Sequence, residues 1–186
     1  MNSSAAALAE FASRRAADLD VATVVLPVVY GDATRALSAA IAETRPAAVV
    51  ALGQANGRDR VTVERVALNL VTETAPDNAG RALAEEPVLA GGPAAYWGTL
   101  PVGRIVAALV AAGVPAAPSP DAGGYVCNHV FYGLMHLIAT ERPDLRGGFV
   151  HVPCLPEQVT ATDGPSMGLD TLAQAVDVVV RTAAER

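Results

Sequence analysis

The chain has 186 residues, 52% of them hydrophobic, with a net charge of -6 and a pI near 5.0. That length houses one domain with a sizeable core and leaves little for a second. All thirteen cationic side chains are arginines, scattered along the chain, so no basic stripe is offered to nucleic acid or to an anionic membrane. No apolar stretch reaches the roughly 18 residues of a membrane span, and the first residues lack a basic region followed by an apolar one. Cys127 and Cys154 alone cannot make a disulfide scaffold. These features predict a cytoplasmic protein that handles a small neutral or peptide substrate.

The elements follow in chain order. Ser4 to Ala17 reads as a helix with a serine N-cap and an alanine-rich interior. Val21 to Tyr30 is β-branched with Pro27 near its middle, the mark of an edge or interrupted strand. Asp32 is expected to cap a helix running to about Arg45, which Pro46 stops. Ala47 to Leu52 is an apolar run broken by Gly53. The polar loop Gly53 to Arg60 then lies at a strand's carboxyl end, where open sheets build sites. Residues 71–96, rich in Thr, Pro, Gly and acids, read as an irregular excursion. Pro101 to Ala112 is a helix with proline in its first turn, ended by Gly113. Ala116 to Ser119 is a short strand, and Ser166 to Ala184 closes the chain as an amphipathic helix. There is no internal repeat or low-complexity linker. The alternation predicts a single-domain α/β/α sandwich over residues 1–186 with a mostly parallel central sheet.

Chemistry gathers at three places. Ser119-Pro120-Asp121-Ala122-Gly123-Gly124-Tyr125-Val126-Cys127-Asn128 carries a cysteine through a Pro/Gly-rich turn onto a helix about three turns long. Its apolar face is Val130, Phe131, Leu134, Met135, Leu137 and Ile138. Free N–H groups and the helix dipole at that end are expected to lower the thiol pKa. Gly147-Gly148-Phe149-Val150-His151-Val152-Pro153 reads as a buried strand that ends just after His151, a candidate base for the thiol. Glu64 interrupts the apolar run Val63 to Asn69, where an unpaired carboxylate is costly, and is the candidate third partner. Each also has a plainer reading. Cys127 alone fits a small buried hydrophobe, His151 a satisfied core histidine, and Glu64 a strand end paired with Arg58 or Arg65. Cys154 reads as packing, His129 and His136 as surface or helix-end residues, and Tyr96 and Trp97 as packing for the excursion.

Together these blocks resemble pyroglutamyl peptidase I, the pyrrolidone-carboxylate peptidase family. Gly53-Gln54-Ala55-Asn56-Gly57-Arg58, Val63 to Asn69, Pro76-Asp77-Asn78-Ala79-Gly80, Ala122 to Asn128, Phe149 to Pro153 and Pro156-Glu157-Gln158 occur in the family's order across nearly the whole chain. The resemblance implies Cys127 as nucleophile, His151 as general base and acid, and Glu64 as the residue orienting the histidine. It implies peptides with an N-terminal pyroglutamyl residue as substrates, no metal or cofactor, and a homo-oligomer, often a tetramer. No nucleic-acid or membrane partner is expected.

The chain departs from the family pattern twice. Family members open on a strand and a Gly-Phe-(Glu/Asp)-Pro-Phe-Gly loop whose rings clasp the pyroglutamyl ring. Here Asn2-Ser3-Ser4 matches the later start of the first helix. The 186 residues are therefore expected to bind substrate weakly and to gain activity and solubility when extended upstream. Thr74, in Val71-Thr72-Glu73-Thr74-Ala75-Pro76, stands where the family has an arginine that helps hold the oxyanion. These departures keep a second reading open, a family member that has lost catalysis and binds instead. A third, a metal hydrolase using Cys127, His151 and Cys154 or Glu64 as ligands, lacks any His-x-x-x-His or Cys-x-x-Cys spacing.

Overall fold

The computed structural model describes residues 2–14, 19–83, 85–159 and 164–185. In chain order its elements are α1 (Ser3–Arg14), α2 (Asp32–Thr44), β1 (Ala48–Gln54), β2 (Val61–Leu68), β3 (Ala95–Trp97), α3 (Val102–Ala111), β4 (Ala116–Asp121), α4 (Val126–Thr140), β5 (Arg146–Val152) and α5 (Leu169–Ala184). A single 3-10 turn, Pro156–Gln158, lies between β5 and α5. Apart from the segment Val21 to Tyr30 and the short β3, which lies at the end of the stretch read as irregular, the elements fall within a few residues of where the sequence places them.

The segment from Val21 to Tyr30 joins no ladder among the described residues. Pro27 removes a donor from its middle, and Val24, Val25 and Val28 are 43%, 72% and 38% exposed instead of stacked on a face. The cap of α1 also shifts by two residues. Asn2 Oδ1 accepts the Ser4 N–H at 2.9 Å and the Ser4 hydroxyl at 2.6 Å, so asparagine caps and the serine is inside the helix. Ala17, the expected end of this helix, lies outside the described residues. At α2 the N-cap is Gly31, and Asp32 is the first helical residue, paired with Arg35 instead of capping.

The sheet is mixed, not mostly parallel. Its order is β1-β5-β2-β3, with β4 also paired to β2. β1 runs parallel to β5 and β2 parallel to β4, but β2 is antiparallel to both β5 and β3. Because β2 opposes β5, its amino-terminal half lies against the carboxyl-terminal half of β5: Thr62 pairs with His151 and Glu64 with Phe149.

Strand alternation then decides what each face carries. Val61, Val63, Val150 and Val152 join Phe11, Ile105, Leu109, Leu172 and Val176 in one core, beneath α1, α3 and α5. The intervening positions turn the other way. Ala51, Ala67 and Phe149 pack with Leu37, Ile41, Phe131, Leu134 and Ile138 of α2 and α4 in a second core. Gly53 shares the parity of Ala51 and His151 that of Phe149, and Thr62 and Glu64, which pair with His151 and Phe149 and alternate with Val61 and Val63, join them on the face that α4 covers.

The start of α4 is tied to β2 by Asn128, whose side chain is fully buried. Its Oδ1 accepts the Leu68 N–H at 2.9 Å, and its Nδ2 donates to the carbonyls of Leu68 at 2.9 Å and Leu70 at 3.0 Å. Leaving buried backbone groups unpaired costs about 1–3 kcal/mol each. Asn128→Ala is therefore expected to lower the unfolding free energy by about 2–4 kcal/mol, measured by urea unfolding. A loss under about 0.5 kcal/mol would mean that other groups hold α4 to β2.

Candidate active site

Three chain segments deliver the candidate residues to one face. Asp121 ends β4, and its carboxylate accepts the Gly123 N–H at 2.9 Å. Gly123 takes φ +77°, a conformation that glycine adopts without cost. Gly124 is needed for a different reason: a Cβ there would sit 1.8 Å from Thr72 Oγ1 and 2.8 Å from the Thr72 nitrogen. The Gly124 carbonyl instead accepts the N–H groups of both Thr72 and Glu73 at 3.1 Å. Tyr125 donates its hydroxyl to the Pro76 carbonyl at 2.9 Å. The excursion over residues 71–76 is thereby fastened to the turn that precedes Cys127.

Cys127 is the second residue of α4, half-buried. The first intrahelical bond is donated by His129 to the Tyr125 carbonyl at 3.1 Å, so the N–H groups of Val126, Cys127 and Asn128 precede the helical ladder. The thiol lies against the end of β1. A Cβ on Gly53 would stand 3.0 Å from Cys127 Sγ and 2.9 Å from the Phe149 ring. Gly53 is also the register partner of His151, and the Phe149 and His151 rings lie 4.9 Å apart. The thiol and the imidazole thus share Gly53 and Phe149 as neighbours.

Glu64 completes the group. Its side chain has no exposed surface, and its Oε1 meets His151 Nδ1 at 2.9 Å, Arg58 Nη1 at 2.8 Å and the Thr62 hydroxyl at 2.9 Å. Arg58 also donates to the Thr62 hydroxyl. Oε2 has no partner. Ser119, opposite Glu64 on β4, turns its hydroxyl to the Asp121 carbonyl at 3.1 Å, and a rotation onto Oε2 would further favour the carboxylate. Burial by itself pushes the Glu64 carboxyl up, but the hydrogen bond from His151, the Ser119 hydroxyl within reach of the carboxylate, and the charges of His151 and Arg58 hold it below the usual carboxylate range. With the carboxylate on Nδ1, the imidazole carries its proton there and presents Nε2 as the basic nitrogen.

The thiol behaves differently from expectation. Burial, followed by the negative charge of Glu64, pushes Cys127 up to about 11. The Arg58 charge and the local N–H act in the lowering direction and do not win. The helix terminus contributes too little to offset the hydration that a thiolate loses there. Cys127 therefore rests as a neutral thiol.

The remaining candidates lie elsewhere or do other things. Cys154 is buried, its Sγ 3.1 Å from Asn56 Oδ1 and 3.4 Å from Gln54 Nε2. His129 and His136 are half-buried, not surface groups. His129 Nδ1 is 3.3 Å from the Thr34 hydroxyl, and His136 Nδ1 is 2.8 Å from the Tyr96 hydroxyl. Tyr96 packs on Tyr132, whereas Trp97 is 65% exposed with the Arg65 guanidinium 5.3 Å over its ring. Among the described residues, no group of three or more His, Cys, Asp or Glu side chains is placed to hold a metal ion. Sequence reasoning gave no role to Asn128, Thr62 or Gly124, and mentioned Arg58 only as a plain partner for Glu64. For Asn128, Gly124 and Arg58 the one available signal was their position inside the matched blocks; Thr62, which precedes one of them, had none.

The profile of the pyroglutamyl peptidase family matches residues 1–186. The chain belongs to the pyroglutamyl peptidase family. It is 52% identical over 168 residues to a pyrrolidone-carboxylate peptidase of Streptomyces coelicolor, covering 90% of this chain and 78% of that one. A Clavibacter michiganensis relative of the same name is 46% identical over 180 residues, or 97% and 84% of the two chains. Among solved structures, pyroglutamyl peptidase I from Bacillus amyloliquefaciens superposes with a TM-score of 0.89 at 40% identity, over 96% of this chain and 86% of that one. A mutant pyrrolidone carboxyl peptidase from Pyrococcus furiosus gives 0.92 at 34% identity, over 98% and 90%. These peptidases share the single-domain α/β fold with its mixed sheet. At the position where the family has arginine, Thr74 is exposed and its N–H is held 3.0 Å from Glu73 Oε1.

A neutral resting thiol has a direct signature. Alkylation of Cys127 by iodoacetamide, followed by peptide mapping, is expected to accelerate by about tenfold per pH unit through the alkaline range. A rate that levels off below about pH 8 would show a thiolate already formed at rest.

Proposed function

We propose that this chain is a cysteine omega-peptidase that hydrolyses the amide bond following an N-terminal pyroglutamyl residue. The observation that carries this reading is the buried Glu64–His151 hydrogen bond at 2.9 Å, set beside Cys127 in a chain of this family. No observation favours the non-catalytic alternative.

Cys127, His151 and Glu64 take the three roles. Substrate binding brings the scissile carbonyl to Sγ. As the S–C bond forms, the thiol proton passes to His151 Nε2, and the carbonyl oxygen takes up negative charge near the free N–H groups at the start of α4. Collapse of this intermediate breaks the C–N bond, and the imidazolium gives its proton to the leaving amine. A water molecule then attacks the thioester carbonyl while His151 takes its proton; the C–S bond breaks, pyroglutamate leaves, and the proton returns to sulfur. Glu64 stays ionised, fixes the tautomer and stabilises the transient imidazolium. The base is needed because the resting thiol is neutral.

For the assembly we propose a homo-oligomer, and the reducing cytoplasm as the compartment that keeps Cys127 and Cys154 as thiols. No helix among the described residues is long and apolar enough to cross a membrane.

Release of a fluorescent amine from a pyroglutamyl conjugate tests the assignment. Cys127→Ala is expected to abolish turnover and Cys154→Ser to keep most of it. His151→Ala should fall nearly as far as loss of the thiol, with Glu64→Gln retaining about one to two powers of ten more activity. Equal losses from the two cysteine changes, or a fully active His151→Ala, would overturn these roles.

Thr74 supplies a gain-of-function test. One oxyanion donor contributes roughly 100- to 1,000-fold in turnover. Thr74→Arg is expected to raise kcat by at least about tenfold, with a smaller change in KM. An unchanged kcat would show that the α4 N–H groups hold the oxyanion without help from this position.

A further inference from the structure

We propose that Arg58 is a positioning residue of the catalytic group: it holds Glu64 in the rotamer that presents Oε1 to His151, and it offsets the carboxylate charge that otherwise opposes formation of the Cys127 thiolate. This rests on the reading of Cys127 as the nucleophile.

The geometry is that of a clamp. Oε1 of Glu64 has three donors from three directions: Arg58 from the β1–β2 loop at 2.8 Å, Thr62 from β2 at 2.9 Å and His151 from β5 at 2.9 Å. The same Arg58 nitrogen, Nη1, also donates to the Thr62 hydroxyl, so one charged group meets both oxygens and fixes them relative to each other. Its side chain is 28% exposed while that of Glu64 is fully buried. The guanidinium therefore reaches inward from the surface to meet a carboxylate that water does not screen. Lysine at this position keeps the charge and carries several donors on one nitrogen, but its shorter, more flexible stem fixes them less firmly than the planar guanidinium does.

The charge matters because Glu64 has two opposed effects. Its carboxylate orients the imidazole and favours the imidazolium, yet the same negative charge disfavours a second anion on Cys127. The groups that face the thiol bear this out. Glu64 raises the thiol's proton affinity, Arg58 lowers it, and the neighbouring phenols Tyr30 and Tyr125 are neutral at physiological pH, both pushed up by burial. Ser119 from β4 and Thr62 from β2 contribute hydroxyls but no charge. Arg58 thus offsets the Glu64 charge before reaction. Negative charge then develops on sulfur without a neighbouring uncompensated carboxylate.

Two readouts separate this role from simple support of the fold. Arg58→Gln is expected to slow iodoacetamide alkylation of Cys127 at fixed alkaline pH by about three- to tenfold, because a lost neighbouring cation raises the thiol pKa while higher basicity partly restores reactivity. Its turnover on a pyroglutamyl amide should fall tenfold or more, mainly in kcat, with the acidic limb of the pH profile displaced upward by about one pH unit. Arg58→Lys is expected to hold the alkylation rate within about twofold of the parent while losing part of kcat. The alkylation arm needs no substrate, so it stands even if Cys127→Ala shows that another group cleaves the amide.

An Arg58→Gln protein with the parent's alkylation rate and acidic limb would overturn the proposal, whatever its turnover. If the Gln variant does not fold, Arg58→Lys decides: a tenfold fall in alkylation with the charge retained would equally overturn it.

Discussion

A carboxylate with no exposed surface is the constraint on which this site depends. Left alone in the interior, Glu64 would take up a proton, and a protonated acid could not orient a base or steady an imidazolium. Three donors on one oxygen keep it ionised. Each donor has its own requirement of the fold. Thr62 needs only the period of β2. His151 needs β5 to lie antiparallel to β2, so that a residue near the end of one strand meets a residue near the start of the other. Arg58 needs the loop after β1 to fold back over the amino end of β2. In an all-parallel sheet, His151 and Glu64 would sit at different depths.

That argument explains which features the sequence makes legible. Helix and strand positions follow from apolar period and from glycine and proline punctuation, so nearly every element is found within a few residues. Strand direction carries no such local mark. Val61 to Leu68 has the same composition whichever way it runs, and parallel pairing was expected because β-strands alternate with helices. Val21 to Tyr30 misleads for a related reason. Its β-branched residues satisfy strand propensity, which reflects packing on a pleated surface more than an intrinsic preference, and here three of its valines face solvent.

The site is legible to a similar depth. Cys127, His151 and Glu64 stand out because each residue type is anomalous where it occurs: a thiol after a glycine turn, a histidine at the end of an apolar strand, an acid inside one. Arg58 has no such anomaly, since a guanidinium in a polar loop is ordinary until the carboxylate behind it is located. Asn128 is hidden in the same way, because its three bonds run to backbone groups about sixty positions away. The thiol's protonation state was misjudged by weighing the helix terminus without burial. A macrodipole interaction amounts to about 0.3–1 kcal/mol at an exposed site, whereas removing an anion from water costs several kcal/mol.

This balance bears on what the site accepts. A neutral thiol and a charge-compensated Arg58–Glu64 pair leave the reaction centre without an uncompensated anion before substrate arrives. The amino terminus of an ordinary peptide brings an ammonium group, and burying it there leaves a cation without a counterion, because the carboxylate present is already paired with Arg58. A pyroglutamyl terminus has its nitrogen in a lactam, which carries no charge and needs only hydrogen-bond partners. On the proposed reading, the same compensation that lets sulfur become an anion during reaction also penalises the charged terminus of an unmodified peptide. Chemistry and selectivity thus rest on one electrostatic arrangement, built around the oxygen that Arg58, Thr62 and His151 share.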